Sequence, residues 1–198
     1  MAVTVCEPEQ GSSFMFGFQP FFTIGHSTRT IPQFVELLRV GEVEIVGDIR
    51  SIRKSRRNPQ FNQRDLKSEL SAYQIDYEVI EGLGGRRPKQ KDINDDLNSI
   101  WLNRSFHNYA DYALSERYKE GLSRLLEIGR RRRCAVMCAE AVWWRCHRRI
   151  VADYLLSKGM DVFHLMDHNA IVRAKLTPGA ITCDNGGLIY PKKSLLLG

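Results

Sequence analysis

The sequence predicts an α/β fold: a single domain with a mostly parallel sheet and helices on both faces. Three observations predict it. Short apolar runs of strand length alternate with segments whose apolar residues recur at helical spacing. The first strand, helix and strand fit within about thirty residues, the size of a right-handed crossover unit. The runs Phe21-Phe22-Thr23-Ile24 and Cys134-Ala135-Val136-Met137 read as buried strands, as expected of a sheet covered on both faces. The plan is Rossmann-like.

Residues 1–20 read as a weakly ordered arm, with Pro8, Gly11, Ser12 and Ser13 ahead of an aromatic patch at Phe14, Phe16 and Phe18. The first strand, Phe21 to Ile24, ends in Gly25-His26-Ser27-Thr28. Thr30 suits an N-cap, Ile31, Phe34, Leu37 and Leu38 share a helical face, and Gly41 closes that helix. Glu44 to Arg50 is a second strand. A polar loop runs on to Pro59-Gln60-Phe61-Asn62, and Leu66, Leu70 and Tyr73 mark the next helix. Tyr77-Glu78-Val79-Ile80 is a short strand leading into Gly82-Leu83-Gly84-Gly85-Arg86-Arg87-Pro88. Residues 89–105 are polar and irregular, an excursion over the surface. The stripe Tyr109, Ala113, Leu122, Leu125 and Leu126 predicts one long helix. After the strand Cys134 to Met137, Ile150, Val151, Tyr154 and Leu155 place a helix to Lys158, with Gly159 as its stop. Val162-Phe163-His164-Leu165 is the last clear strand, and from His168 onward the pattern is indistinct.

The chain of 198 residues is long enough to bury a sizeable core as one domain, residues 21–198 after the arm. With 43% hydrophobic and 26% charged residues, its composition is that of a soluble globular protein. No apolar run is long enough to span a bilayer, so no membrane is expected. The first residues lack the charged start and apolar core of a signal peptide, and five cysteines without regular spacing suit a reducing compartment. The expected location is cytoplasmic. The net charge of +6 is clustered at Arg50 to Arg64, at Arg86-Arg87-Pro88-Lys89, at Arg130 to Arg133 and at Arg145, Arg148 and Arg149. Such clusters suit a polyanionic partner, either nucleic acid or a phosphorylated small molecule. Nothing in the sequence sets the oligomeric state, a homodimer included.

The densest chemistry lies between Cys138 and Arg149, in the loop that joins the central strand to the next helix. Open α/β sheets bind ligands at the carboxyl ends of their strands, beside helix N-termini that favour anions. In a parallel sheet the other strand ends open on the same edge. One cleft is therefore expected to gather His26 and Ser27, Asp48 and Arg50, Gly84, Gly85 and Arg86, and Cys138 with Glu140. Glu140 and Asp48 are the expected acid–base pair, because a partly desolvated carboxylate near arginines can be tuned for proton transfer. Cys138 is a candidate nucleophile and His26 a further catalytic candidate. Ser27, Arg50, Gly84, Gly85, Arg86, Arg145, Cys146, His147 and Arg148 are expected to contact substrate, and Trp143 or Trp144 to stack on a base. No cofactor is expected. Zinc on Cys138, Glu140, Cys146 and His147 with His26 is the alternative, although the spacing lacks the close pairs of a structural zinc site.

The segments Gly25-His26-Ser27, Asp48-Ile49-Arg50, Leu83-Gly84-Gly85, Cys138-Ala139-Glu140 and Cys146-His147-Arg148 resemble, in this order, the family catalogued as domain of unknown function 488. The resemblance covers roughly residues 21–168. It implies a compact microbial α/β domain with these residues as its site and no assigned role. A weaker resemblance is to the rhodanese and Cys-phosphatase architecture, where a strand ends in a Cys, and Asp48-Ile49-Arg50 is similar to the Asp-x-Arg of an early rhodanese strand. Glu140 and the two tryptophans after Cys138, and the late position of Arg145, depart from that pattern. A carboxylate so close to the thiol raises its pKa and repels anions, which counts against sulfur transfer and phosphate-ester cleavage. The expected function is an enzyme acting on a nucleotide or on DNA or RNA, at a base or glycosidic bond, by carboxylate acid–base chemistry in a basic cleft. A non-catalytic nucleic-acid-binding module and a Cys-dependent enzyme on a small anionic substrate are the alternatives.

Overall fold

The computed structural model describes residues 19–168 and 170–192, so the aromatic patch at Phe14, Phe16 and Phe18 lies outside the described residues. Six strands form the main sheet: β1 (Phe21–Gly25), β2 (Ile45–Asp48), β3 (Asp76–Val79), β4 (Cys134–Cys138), β5 (Val162–Met166) and β6 (Ala170–Arg173). Their order is β3-β2-β4-β1-β5-β6. The first five are mutually parallel, and β6 runs antiparallel to β5 on one edge. A two-stranded hairpin, β7 (Ile181–Thr182) and β8 (Leu188–Ile189), follows in the tail. The predicted α/β class is observed.

Among the described residues five α-helices accompany the strands: α1 (Ile31–Val40), α2 (Gln63–Ala72), α3 (Arg104–Tyr112), α4 (Glu116–Arg131) and α5 (Arg148–Ser157). Helix α1 starts where expected because Thr30 and Gln33 cap each other: the Thr30 hydroxyl accepts from the Gln33 N–H, and the Gln33 side chain accepts from the Thr30 N–H. Gly159 follows α5 at φ 78°, the left-handed geometry that ends helices most cheaply in glycine. The expected single long helix is instead two, α3 and α4, broken at Ala113 to Ser115. The Ser115 hydroxyl accepts from the Tyr118 N–H and starts a new helix. A local side-chain cap there overrides an apolar stripe that continues on both sides of it.

Side chains of the central strands alternate between two cores, as the pleat requires. Cys134, Val136 and Cys138 of β4 belong to one core with α3, α4 and α5 residues such as Tyr109, Leu125 and Ile150. Ala135 and Met137 belong to the other, with Phe34 and Leu38 of α1 and Leu66 and Leu70 of α2. Helices therefore cover both faces. Among the described residues no helix is long and apolar enough to cross a membrane.

Candidate active site at the carboxyl edge of the sheet

All four predicted strand ends open on one edge, and the pleat divides their side chains between its two faces. On the α1–α2 face, Asp48 is fully buried and accepts from Arg50 three times: from Nε at 2.9 and 3.1 Å to its two oxygens and from Nη2 at 2.6 Å. The Arg50 backbone N–H (2.9 Å) and the Tyr77 hydroxyl (2.5 Å) complete its shell. Burial, with the Asp48 charge, pushes the Tyr77 hydroxyl up, so it stays a donor. Arg50 in turn donates to the Phe61 carbonyl (2.8 Å) and meets His26 Nε2 at 3.1 Å. His26 stacks on Phe61, with ring centroids 4.3 Å apart, and its Nδ1 lies 2.8 Å from the Ser27 carbonyl. Since a carbonyl only accepts, Nδ1 carries the proton and Nε2 accepts from Arg50. Burial lowers the His26 pKa to about 4, which keeps the ring neutral. Asp48, Arg50 and His26 thus form a closed network, and Ser27 turns the chain beside it at φ 50°.

On the other face lies a cleft of about 270 Å³ lined by Arg50, Gly85, Arg86, Phe106, Tyr109, Cys138, Glu140, Arg145, Cys146 and His147. Cys138 ends β4, hydrogen-bonded within the sheet between β1 and β2. The loop after it turns back through a short 3-10 turn, Trp143–Arg145, and places Cys146 and His147 just ahead of α5. His147 Nδ1 is 3.8 Å from both Cys138 Sγ and Cys146 Sγ. Its Nε2 donates to the Ile49 carbonyl at 3.1 Å. The Tyr109 ring meets the imidazole edge-on at 4.7 Å, and the Tyr109 hydroxyl donates to the Leu83 carbonyl. Burial alone would raise the Cys146 thiol, but its hydrogen bond with Cys138 and the neighbouring imidazole hold it well below its usual value. The Cys138 thiol, donor in that contact and itself buried, is pushed well above.

The cleft loop is held from behind by Arg148. Its guanidinium is buried and donates to the Glu140 carbonyl (2.5 Å) and the Ala141 carbonyl (2.8 Å). The Glu140 side chain is exposed and has no ion pair or hydrogen bond among the described residues. The guanidinium groups of Arg86 and Arg145 are also exposed and unpaired among them. Gly85 is required by the imidazole: a Cβ there would sit 2.8 Å from His147 Nδ1. Gly84 makes a comparable close approach to Ser51 Oγ. These glycines therefore serve packing. Trp143 lies outside the cleft, stacked on His164 at 4.4 Å, and Trp144 is half exposed beside it. Phe106 and Tyr109 were not singled out from sequence as site residues. Tyr109 was visible only as a member of an apolar stripe, and the Ile49 carbonyl that orients His147 carries no side-chain signal at all.

A family profile described as "Domain of unknown function DUF488" matches residues 30–155. The matched span holds Asp48, Gly84 and the Cys138 to Arg148 loop, while Gly25-His26-Ser27 precedes it. No curated protein and no solved structure matches the chain.

Proposed function

The chain belongs to the DUF488 family, whose description assigns no activity, and we propose that it is an enzyme acting on a small phosphorylated substrate of the nucleotide class. The observation that carries this reading is the cleft's rim: one carboxylate, Glu140, and two guanidinium groups, Arg86 and Arg145, with no partners among the described residues, around an aromatic wall of Phe106 and Tyr109. Unpaired arginines favour a phosphate or another anion by charge-assisted hydrogen bonds. An unpaired carboxylate beside them can accept and return a proton. A cleft of about 270 Å³ suits a ring-sized group better than a duplex. Glu140 carries the acid–base role alone, because both oxygens of Asp48 are taken by Arg50 and Tyr77. The free nucleotide is favoured over a nucleic-acid strand because Trp143 is already stacked on His164 and does not line the cleft.

The test is calorimetric titration with nucleosides and their mono-, di- and triphosphates, followed by chromatography of the ligands that bind. A phosphate-dependent ligand is expected. Loss of both guanidinium groups in Arg86→Ala/Arg145→Ala should weaken it by about 10- to 100-fold, at roughly 1.5–3 kcal/mol per charged hydrogen bond lost with partial compensation by water. Glu140→Gln should bind and fail to turn over. Equal binding of nucleosides and nucleotides, or turnover intact in Glu140→Gln, overturns the proposal.

A further inference from the structure

Acid–base chemistry at Glu140 leaves the group at the foot of the cleft unused. We propose that Cys138, Cys146 and His147 bind a soft divalent metal ion, zinc being the type, as a three-ligand centre whose fourth position opens into the cleft. The proposal deepens the reading of this cleft as an active site and rests on that reading for the metal's purpose.

The geometry is that of a ligand set. Sγ of Cys138, Sγ of Cys146 and Nδ1 of His147 all lie within 4.8 Å of one another. Tetrahedral zinc, at about 2.3 Å from sulfur and 2.0–2.1 Å from nitrogen, sets sulfur–nitrogen edges of about 3.6 Å. The two edges here are each 3.8 Å, so closing on an ion asks a shift of a few tenths of an ångström. The imidazole is oriented as metal-bound imidazoles are: Nε2–H donates to the Ile49 carbonyl, which leaves Nδ1 to present its lone pair to the thiols. That orientation is held from two sides, by the edge contact with Tyr109 and by the absence of a side chain at Gly85. Cys138 sits at the end of a strand hydrogen-bonded to both neighbours, the rigid support a ligand needs.

The same three residues line the cleft that Glu140 and Arg145 share. No fourth Cys, His, Asp or Glu of the described residues joins the cluster. Three protein ligands and an open position distinguish reactive zinc sites from structural ones, and zinc in such a site lowers the pKa of a bound water to about 7. Two thiolates neutralise a divalent ion within a buried pocket. In this reading the thiolates are ligands and not the nucleophile. The sequence spacing opposed only a structural zinc site closed by four ligands, which this is not. The other grouping of this kind, Asp95 with His107 and Asp111, carries no such inference, because Lys89 already pairs with Asp95 and Asn98 with Asp111.

The experiment uses the full chain, purified without chelators, and measures metal by elemental analysis. The metal is then stripped and the protein titrated with cobalt(II), followed by visible absorption. One equivalent of bound metal is expected, with the intense charge-transfer bands of thiolate-bound tetrahedral cobalt. Cys138→Ser, Cys146→Ser and His147→Gln should each weaken cobalt binding by at least about 100-fold, more than the loss of an outer-shell partner. Cys183→Ser should not change it. The unaltered protein decides the matter even where a variant fails to fold: no cobalt bands at micromolar metal, or a Cys138–Cys146 disulfide in place of two titratable thiols, overturns the proposal. Bands that survive in Cys138→Ser and Cys146→Ser overturn it as well. Cobalt uptake without nucleotide binding would leave the metal site standing and remove the substrate reading, and nucleotide binding without metal uptake would do the reverse.

Discussion

Asp48→Ala separates the structural from the chemical reading of the strand-end carboxylates. Asp48 is fully buried and satisfies three donor groups: the Arg50 guanidinium, the Arg50 backbone N–H and the Tyr77 hydroxyl. Its removal leaves Arg50, only 4% exposed, with the Phe61 carbonyl and a neutral His26 as its remaining partners. Breaking a buried ion pair by deleting one partner costs about 3–5 kcal/mol, because the surviving charge stays desolvated. That is a large share of the roughly 5–15 kcal/mol that holds a domain folded. At about 2–4 °C per kcal/mol for a chain of this size, Tm should fall by about 6–20 °C. The assay is urea unfolding followed by far-ultraviolet circular dichroism, run on Asp48→Ala, Arg50→Met and the double variant. The double variant should cost clearly less than the sum of the singles, because it removes the stranded charge. A loss below about 1 kcal/mol in Asp48→Ala would refute the reasoning. Retained stability with lost turnover would go further and make Asp48 a chemical group.

Gly25→Ala should damage the cleft from beneath. A Cβ at Gly25 would overlap the Glu140 carbonyl oxygen and lie 2.7 Å from its carbon, so the loop carrying Glu140 must move. Overpacking of this kind costs about 1–3 kcal/mol. Ligand binding should fall together with Tm, and an unchanged affinity would show that the loop position does not matter. Stability should also depend on pH through His26 and His164, whose pKa values burial lowers from 6.5 to about 4. Between pH 6.5 and 4 the unfolded chain binds protons that the folded chain does not, so stability rises with pH through this window. It is complete above pH 6.5 and falls as the pH drops toward 4. By pH 5 each histidine should have lost about 2 kcal/mol. Urea midpoints at pH 7 and pH 5 should differ less in His26→Asn and His164→Gln, and equal differences in all three proteins would count against it.

Strands β1 to β5 and most of the helices were legible because their signals are local. Phe21 to Ile24 and Cys134 to Met137 are apolar runs, Thr30 and Gln33 sit at capping distance, and Gly159 stops a helix. Where two local signals competed, reading failed: the stripe from Tyr109 to Leu126 outweighed Ser115, whose hydroxyl begins a second helix. Strand β6 went unread because all four of its residues are exposed and show no buried face, and β7 and β8 because two residues each are too few to show a hydrophobic period.

The residues at the strand ends, and the parallel sheet that brings those ends to one edge, follow from the sequence alone. Which of them share a cleft does not. Neighbouring strand residues point to opposite faces, so His26, Asp48 and Arg50 close a network against Phe61 while Cys138 turns toward Tyr109. The pairing of Cys138 with Cys146 and His147, and the carbonyl of Ile49 behind the imidazole, depend on a loop folding back across the sheet edge. The sequence supplied the reactive groups. Pleat, register and loop closure decided which of them meet, because those are set by packing between segments far apart in the chain.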